Sequence, residues 1–66
     1  MLDRLGREIR IGELVAVKDH PELSIKVNWV VLDFLEYTLS VDVVLQNFIS
    51  GEIRFINILD IEKEFF

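Results

Sequence analysis

Apolar and polar residues alternate with a period of two along much of this chain, a pattern typical of β-strands with one buried face. The alternation is clearest over residues 38–46. One face of that segment is wholly apolar and consists of Leu39, Val41, Val43 and Leu45. A helical period of 3.6 residues would scatter these side chains around the axis, so the segment predicts a strand.

Turn-forming residues divide the rest of the chain into short segments. Pro21 cannot donate a backbone hydrogen bond and indicates a loop over 19–23. The other predicted connections are a hairpin at 33–37 and a turn at 47–51. The remaining segments predict strands over 14–18, 24–33 and 52–57, a 3₁₀ turn at Leu59-Asp60-Ile61 and a short closing strand. The fold class that follows is all-β.

The second predicted strand loses its alternation after Trp29, because Val30, Val31 and Leu32 are all apolar. Two interpretations are open. Either a β-bulge redirects the chain at this point, or both faces of the strand are covered.

The length of 66 residues predicts one domain, 1–66, with a lead-in segment at 1–8 and a tail at 65–66. Ordering a chain costs roughly 1.5 kcal/mol per residue, which burial must offset. Apolar residues make up 52% of the sequence, and with no cysteine neither a disulfide nor a thiolate metal site is available. Either the core is unusually dense, or some apolar surface is buried against another chain.

The net charge of −5 is unevenly distributed. Residues 1–33 carry five basic and six acidic side chains, and residues 34–66 carry two basic and six acidic ones. Nucleic-acid binding draws much of its affinity from basic residues, so this balance disfavours it. We find no signal-peptide pattern and no apolar stretch of membrane-spanning length, so we expect a cytoplasmic protein without a membrane partner.

Two short motifs resemble the small SH3-like barrels, including domains of the KOW type. The opening segment 6–17 reads GREIRIGELVAV, and the ending 51–63 reads GEIRFINILDIEK. The resemblance spans residues 6–64 and implies a five-stranded SH3-like antiparallel barrel with a 3₁₀ turn before the last strand. By analogy, it also extends to small accessory proteins of phages and mobile elements.

The chain departs from these families in the loops that carry their best-known activities. A KOW motif has a glycine-rich basic loop after its first strand, whereas residues 18–23 contain no glycine and two acids. The aromatic signature of peptide-binding SH3 domains is absent. The resemblance therefore implies the barrel, but neither RNA binding nor polyproline binding.

Few residues suggest catalysis or metal binding. Asp19 and His20 are an acid–base or metal pair only if a partner positions them, and a solvated loop is the simpler interpretation. Asp60, Glu62 and Glu64 alternate and would suit a hard cation, but a solvated strand edge is favoured. We predict no enzyme activity, no cofactor and no catalytic or metal-binding residue.

The aromatic and basic residues allow a nucleic-acid interpretation. Trp29, Phe34 and Tyr37 would form a base-stacking platform if all were exposed, although the alternation assigns Trp29 to the core. Arginines recur every three residues near the N-terminus, where Asp3, Glu8 and Glu13 are available as ion-pair partners. The basic residues available to a nucleic acid are Arg4, Arg7, Arg10, Lys18 and Lys26.

More apolar residues are present than one inner face needs. We assign to that face Val15, Val17, Ile25, Val27, Trp29, Val31, Leu39, Val41, Val43, Leu45, Ile53 and Phe55. The parity of the strands places the surplus on the opposite face, where we predict a partner-binding surface formed by Val30, Leu32, Phe34, Val44 and Ile56. The alternative is that segment 1–8 or the 65–66 tail covers this surface.

We therefore expect a non-enzymatic interaction or structural module that binds a partner protein, or a second copy of itself, through apolar residues of the outer face. The alternative function is a KOW-like nucleic-acid-binding barrel. The two differ in their dependence on salt, because phosphate contacts weaken steeply as salt rises.

Overall fold

A computed structural model describes residues 1–18 and 20–64 and contains five strands. These are β1 (Leu14–Ala16), β2 (Trp29–Glu36), β3 (Val41–Asn47), β4 (Ile53–Asn57) and β5 (Glu62–Lys63), with a 3₁₀ turn (Ile58–Asp60) before β5. All neighbouring strands are antiparallel, in the order β4-β3-β2-β1-β5. The all-β prediction, with five antiparallel strands and a 3₁₀ turn before the last, is confirmed.

The two edge strands of the sheet are β4 and β5. They do not pair with each other within the described ranges, so closure into a barrel stays a prediction. The described part of the chain also has no helix whose length and apolar character would let it cross a membrane.

Strand boundaries differ from the predicted ones at both ends of β2. The strand begins at Trp29 rather than at residue 24, because Asn28 adopts a positive φ of 66° that breaks the extended run. It continues to Glu36 through the predicted hairpin. The chain reverses further on, where the Tyr37 N–H donates to the Ser40 carbonyl at 2.8 Å.

Of the two interpretations left open for the segment after Trp29, the structure has the β-bulge. Val31 pairs with Leu45 and Asp33 pairs with Val44, which leaves Leu32 as the extra residue between them. A bulge changes the parity of everything beyond it. As a result Phe34 lies opposite Val43 and packs against the core.

The core fills the inner face of the sheet and extends to residues outside the strands. Its buried members are Ile9, Val15, Val17, Leu23, Trp29, Val31, Val43, Leu45, Ile56 and Ile61. The inner-face prediction is wrong for five residues that are exposed, namely Ile25, Val27, Leu39, Ile53 and Phe55. The predicted Val41 is half-buried.

Asn47 fixes the turn between β3 and β4 from inside the protein. Its side chain is 1% exposed. The Oδ1 atom accepts hydrogen bonds from the N–H groups of Ile49 at 3.0 Å and Ser50 at 3.1 Å, while Nδ2 donates to the Val27 carbonyl at 3.0 Å. One side chain thus ties the turn to the segment that leads into β2.

The Asn47→Asp variant is expected to lose about 1–3 kcal/mol of unfolding free energy. The change keeps the acceptor atom but replaces the donor with an oxygen that faces the Val27 carbonyl in a buried position. Urea denaturation followed by circular dichroism measures the loss. Gln46→Glu is the control, because Gln46 is only half-buried; equal losses in the two variants would contradict the role of Asn47.

Candidate functional site

The outer face of β2, β3 and β4 carries an apolar surface, which we call the outer patch. Its members are Val30, Leu32, Val44, Ile53 and Phe55. Pairing brings Val44 opposite Phe55 in β4, while Gln46 lies between Val30 and Ile53. Directly paired residues project from the same face of a sheet, so these side chains are neighbours.

Exposure within the outer patch rises toward the edge strand. Val30 and Val44 are half-buried and Leu32, at the bulge, is 38% exposed. Ile53 is 52% exposed and Phe55 is 61% exposed. Contiguous apolar residues that remain in water mark interaction surfaces more often than isolated ones do.

The structure corrects the predicted membership of this surface. Val30, Leu32 and Val44 lie on it as predicted. Ile56 does not, because it pairs with Val43 on the inner face and is only 4% exposed. Phe34 is half-buried against the core, so its predicted outer position is also wrong.

Ile53 and Phe55 were missed because β4 has two interleaved apolar sets. Residues 53 and 55 alternate, and so do residues 56 and 58. A shift of one residue exchanges the faces of a strand, so composition alone cannot select between the sets. The pairing of Val43 with Ile56 decides it.

The outer patch is bordered by acidic residues. Asp33 is paired with Val44, and Asp42 lies between Leu35 and Asn57 in the next row of the sheet. Asp33 is exposed and Asp42 is half-buried. The border is therefore acidic on the side of the outer patch that lies away from Ile53.

β4 is also an edge strand, and it pairs only with β3 among the described strands. Two charged residues flank Ile53 along this edge. The Arg54 Nε donates to the Glu52 carboxylate. The outer patch therefore ends at a strand with an open side and one charge of each sign.

The lead-in segment lies along a different part of the molecule. The Arg4 N–H donates to the Ile61 carbonyl at 2.9 Å, and the Lys63 N–H donates to the Asp3 Oδ2 at 2.7 Å. Leu2 and Leu5 are exposed themselves, which does not support cover of the outer patch by this segment. The 65–66 tail lies outside the described residues.

Four of the five predicted basic residues contact acceptors within the fold, and the fifth, Arg10, is exposed. Arg7 Nε lies 3.2 Å from Asp3 Oδ2, while Arg4 Nε and Lys18 Nζ lie 3.5 Å and 3.9 Å from Glu62. Lys26 Nζ donates to the His20 carbonyl. Of the carboxylates expected to pair with the N-terminal arginines, Asp3 does so with Arg7. Glu13 instead pairs with Lys63, and Glu8 pairs with the N-terminal amine.

Some of these side chains border a groove of ≈ 450 Å³ beside β1 and β5, whose charged lining is Arg7, Lys18, Glu62, Lys63 and Glu64. Both signs of charge alternate within it. The groove therefore lacks the uniformly positive surface that a phosphate backbone selects.

Those residues considered for catalysis or metal binding that the structure describes are not gathered into one site. Among the described residues, no three His, Cys, Asp or Glu side chains are placed to hold a metal ion. Glu64 Oε1 accepts from the Asn28 N–H at 2.6 Å. His20 is half-buried rather than solvated, its Nδ1 has no hydrogen-bond partner in the described chain, and Asp19 lies outside the described residues.

The three aromatic residues considered for base stacking are separated by burial. Trp29 is fully buried, Phe34 is half-buried and Tyr37 is exposed. Tyr37 borders a second groove, of ≈ 330 Å³, together with the apolar residues Leu39 and Leu59. The prediction that Trp29 belongs to the core is confirmed.

Comparison of the chain with protein-family models, with curated proteins and with solved structures finds no match. The site has therefore to be interpreted from its own geometry. Its main features are the exposed apolar side chains of the outer patch and the open edge at which the patch ends.

Proposed function

We propose that this chain is a non-enzymatic interaction module of the SH3-like barrel type, and that it binds another protein chain through the outer patch. The observation that carries the proposal is the exposure of Ile53 and Phe55 beside Val44, on the outer face of a sheet whose inner face is buried. The 3₁₀ turn between β4 and β5 agrees with the barrel ending that the sequence resembles.

The energetics of the outer patch support this function. Fully burying a Phe or Ile side chain contributes roughly 1.5–3 kcal/mol. Ile53 and Phe55 lie side by side along one strand, so a partner that covers one also reaches the other. Large aromatic residues at the centre of a desolvated contact are the typical energetic centres of protein interfaces.

Nucleic-acid binding is the alternative with the same fold resemblance, but no specific observation favours it. Its proposed residues Arg4, Arg7 and Lys18 contact carboxylates. The net charge of −5 opposes it at long range.

The Phe55→Glu variant is expected to lose binding of protein to the outer patch at least tenfold, because a carboxylate would be desolvated there. The immobilised chain is incubated with purified copies of itself and with lysate of the cells in which the protein occurs naturally. Protein retained by the wild type but not by the variant is then measured.

Leu39→Glu is the matched control, because Leu39 is 96% exposed and lies outside the outer patch. It makes the same change of charge and should retain what the wild type retains. Circular dichroism establishes that both variants are folded. If Phe55→Glu retains the same proteins as the wild type, the outer patch is not the binding surface.

A further inference from the structure

We infer that the partner at the β4 end of the outer patch is a second copy of this chain, which pairs edge to edge with β4 in antiparallel fashion about a two-fold axis at Ile53. The inference rests on the proposed function and names its partner. It would join two five-stranded sheets into one and bring Ile53 of each copy together.

The first argument is the direction of the backbone groups along β4. The Asn47 N–H donates to the Glu52 carbonyl at 2.9 Å, so Glu52 faces β3. In an antiparallel ladder this direction alternates, so Arg54 and Ile56 also face β3, whereas Ile53, Phe55 and Asn57 direct their N–H and C=O groups to the open side. Two such edges can exchange hydrogen bonds.

The second argument is that β4 has little of the usual protection of an edge strand. Proteins block edges with charged residues, lysine above all, and with proline, a bulge or a covering segment. β4 is five residues long, contains neither proline nor lysine, carries Arg54 as its one charged residue, and its pairing with β3 has no register shift. Its described residues thus form a regular strand that is suited to pairing.

The third argument is charge. Glu52 and Arg54 lie on either side of Ile53. If Ile53 pairs with its own copy, each Arg54 lies opposite the other chain's Glu52, which gives two ion pairs related by symmetry. Both fall at non-hydrogen-bonded positions, where opposite side chains approach most closely.

The same register provides room for Phe55, which would lie opposite Gly51 of the second copy. Glycine has no side chain, and a Cβ built on Gly51 meets nothing within 4 Å. A register centred on Arg54 would instead set two like charges opposite each other. Charge and space therefore both favour Ile53 as the centre.

Charge reversal tests this register. Arg54→Glu and Glu52→Arg each set two like charges opposite each other, so each is expected to raise the dimer dissociation constant about tenfold. The double variant exchanges the signs and should return the constant to within about threefold of wild type. Arg10→Glu, an exposed site away from β4, makes the same charge change as Arg54→Glu and should leave the constant unchanged.

Light scattering and sedimentation equilibrium measure the mass, which is 7.7 kDa for one chain. A dimer that the single reversals weaken and the double reversal restores supports the inference. A monomer at about millimolar concentration overturns it, and so does a dimer without rescue. If this inference fails, the proposed function can still be supported. It is supported when the wild type retains a different protein and the Phe55→Glu variant does not.

Discussion

Replacing Trp29 with alanine is expected to remove about 3–5 kcal/mol of unfolding free energy, a large part of the protein's total stability. Trp29 is fully buried and is the largest member of the core. Truncation of a buried tryptophan costs about 3–5 kcal/mol. At roughly 0.05–0.15 kcal/mol per residue, a chain of 66 residues has only about 3–10 kcal/mol of stability in total.

The measurement is urea denaturation followed by far-ultraviolet circular dichroism, because the variant lacks the chain's single tryptophan. Trp29→Phe keeps an aromatic ring but loses the Nε1 donor to the Ile25 carbonyl at 3.1 Å, and should cost less than the alanine variant. Leu39→Ala, at a side chain 96% exposed, should change stability by less than about 0.5 kcal/mol. A cooperative transition of wild-type midpoint in Trp29→Ala would contradict this assignment of the core.

The alternation of β3 shows how much of the fold was predictable. Val43 and Leu45 are buried as predicted, because they belong to an apolar series that alternates with polar residues, with Val44 as the one exception. Leu39 belongs to the same alternating series but is exposed, since the chain reverses at residues 37–40 before β3 begins. Periodicity thus identified the strand and its buried face, but not the residue at which the strand starts.

The outer patch was predictable only in part, for a physical reason. Val30 and Leu32 were found because the broken alternation of β2 requires a bulge or a covered second face, and the structure has the bulge. Ile53 and Phe55 depend on the register of β4, which is fixed by its turn and by its pairing with β3. That pairing is a contact between two strands, which the sequence of one strand does not encode.

The same limit applies to core residues outside the strands. Ile9 and Ile61 are fully buried, yet neither lies within a strand of the sheet. Their burial depends on the lead-in segment 1–8, which is hydrogen-bonded to Ile61 and Lys63 near β5. The anchor of that segment is Asp3, a charged residue that is only 6% exposed.

The Asp3→Asn variant is expected to lose about 2–4 kcal/mol of unfolding free energy at neutral pH. Asp3 Oδ1 accepts from the N–H groups of Leu5 at 2.9 Å and Arg7 at 2.8 Å. Oδ2 accepts from Arg7 Nε at 3.2 Å and from the Lys63 N–H at 2.7 Å. An amide nitrogen in place of one oxygen would face donors without an acceptor.

The pH dependence of this loss follows from the pKa of Asp3. Burial by itself raises that pKa, but hydrogen bonds from the backbone of Lys63, Arg7 and Leu5, together with the Arg7 charge, lower it below its ordinary value overall. A carboxyl whose folded pKa is depressed stabilises the fold fully above its unfolded pKa of about 3.9. That stabilisation is lost as the pH falls through the folded pKa.

The difference in stability between wild type and Asp3→Asn should therefore be constant above about pH 5 and shrink at lower pH. Denaturation curves at a series of pH values measure it, and hydrogen exchange of the Lys63 N–H reports the local contact. Glu22→Gln, at an exposed residue, should not change the acid response. A difference that stays constant down to about pH 2 would show that the lead-in segment is held by packing around Ile9 rather than by the ionised carboxylate.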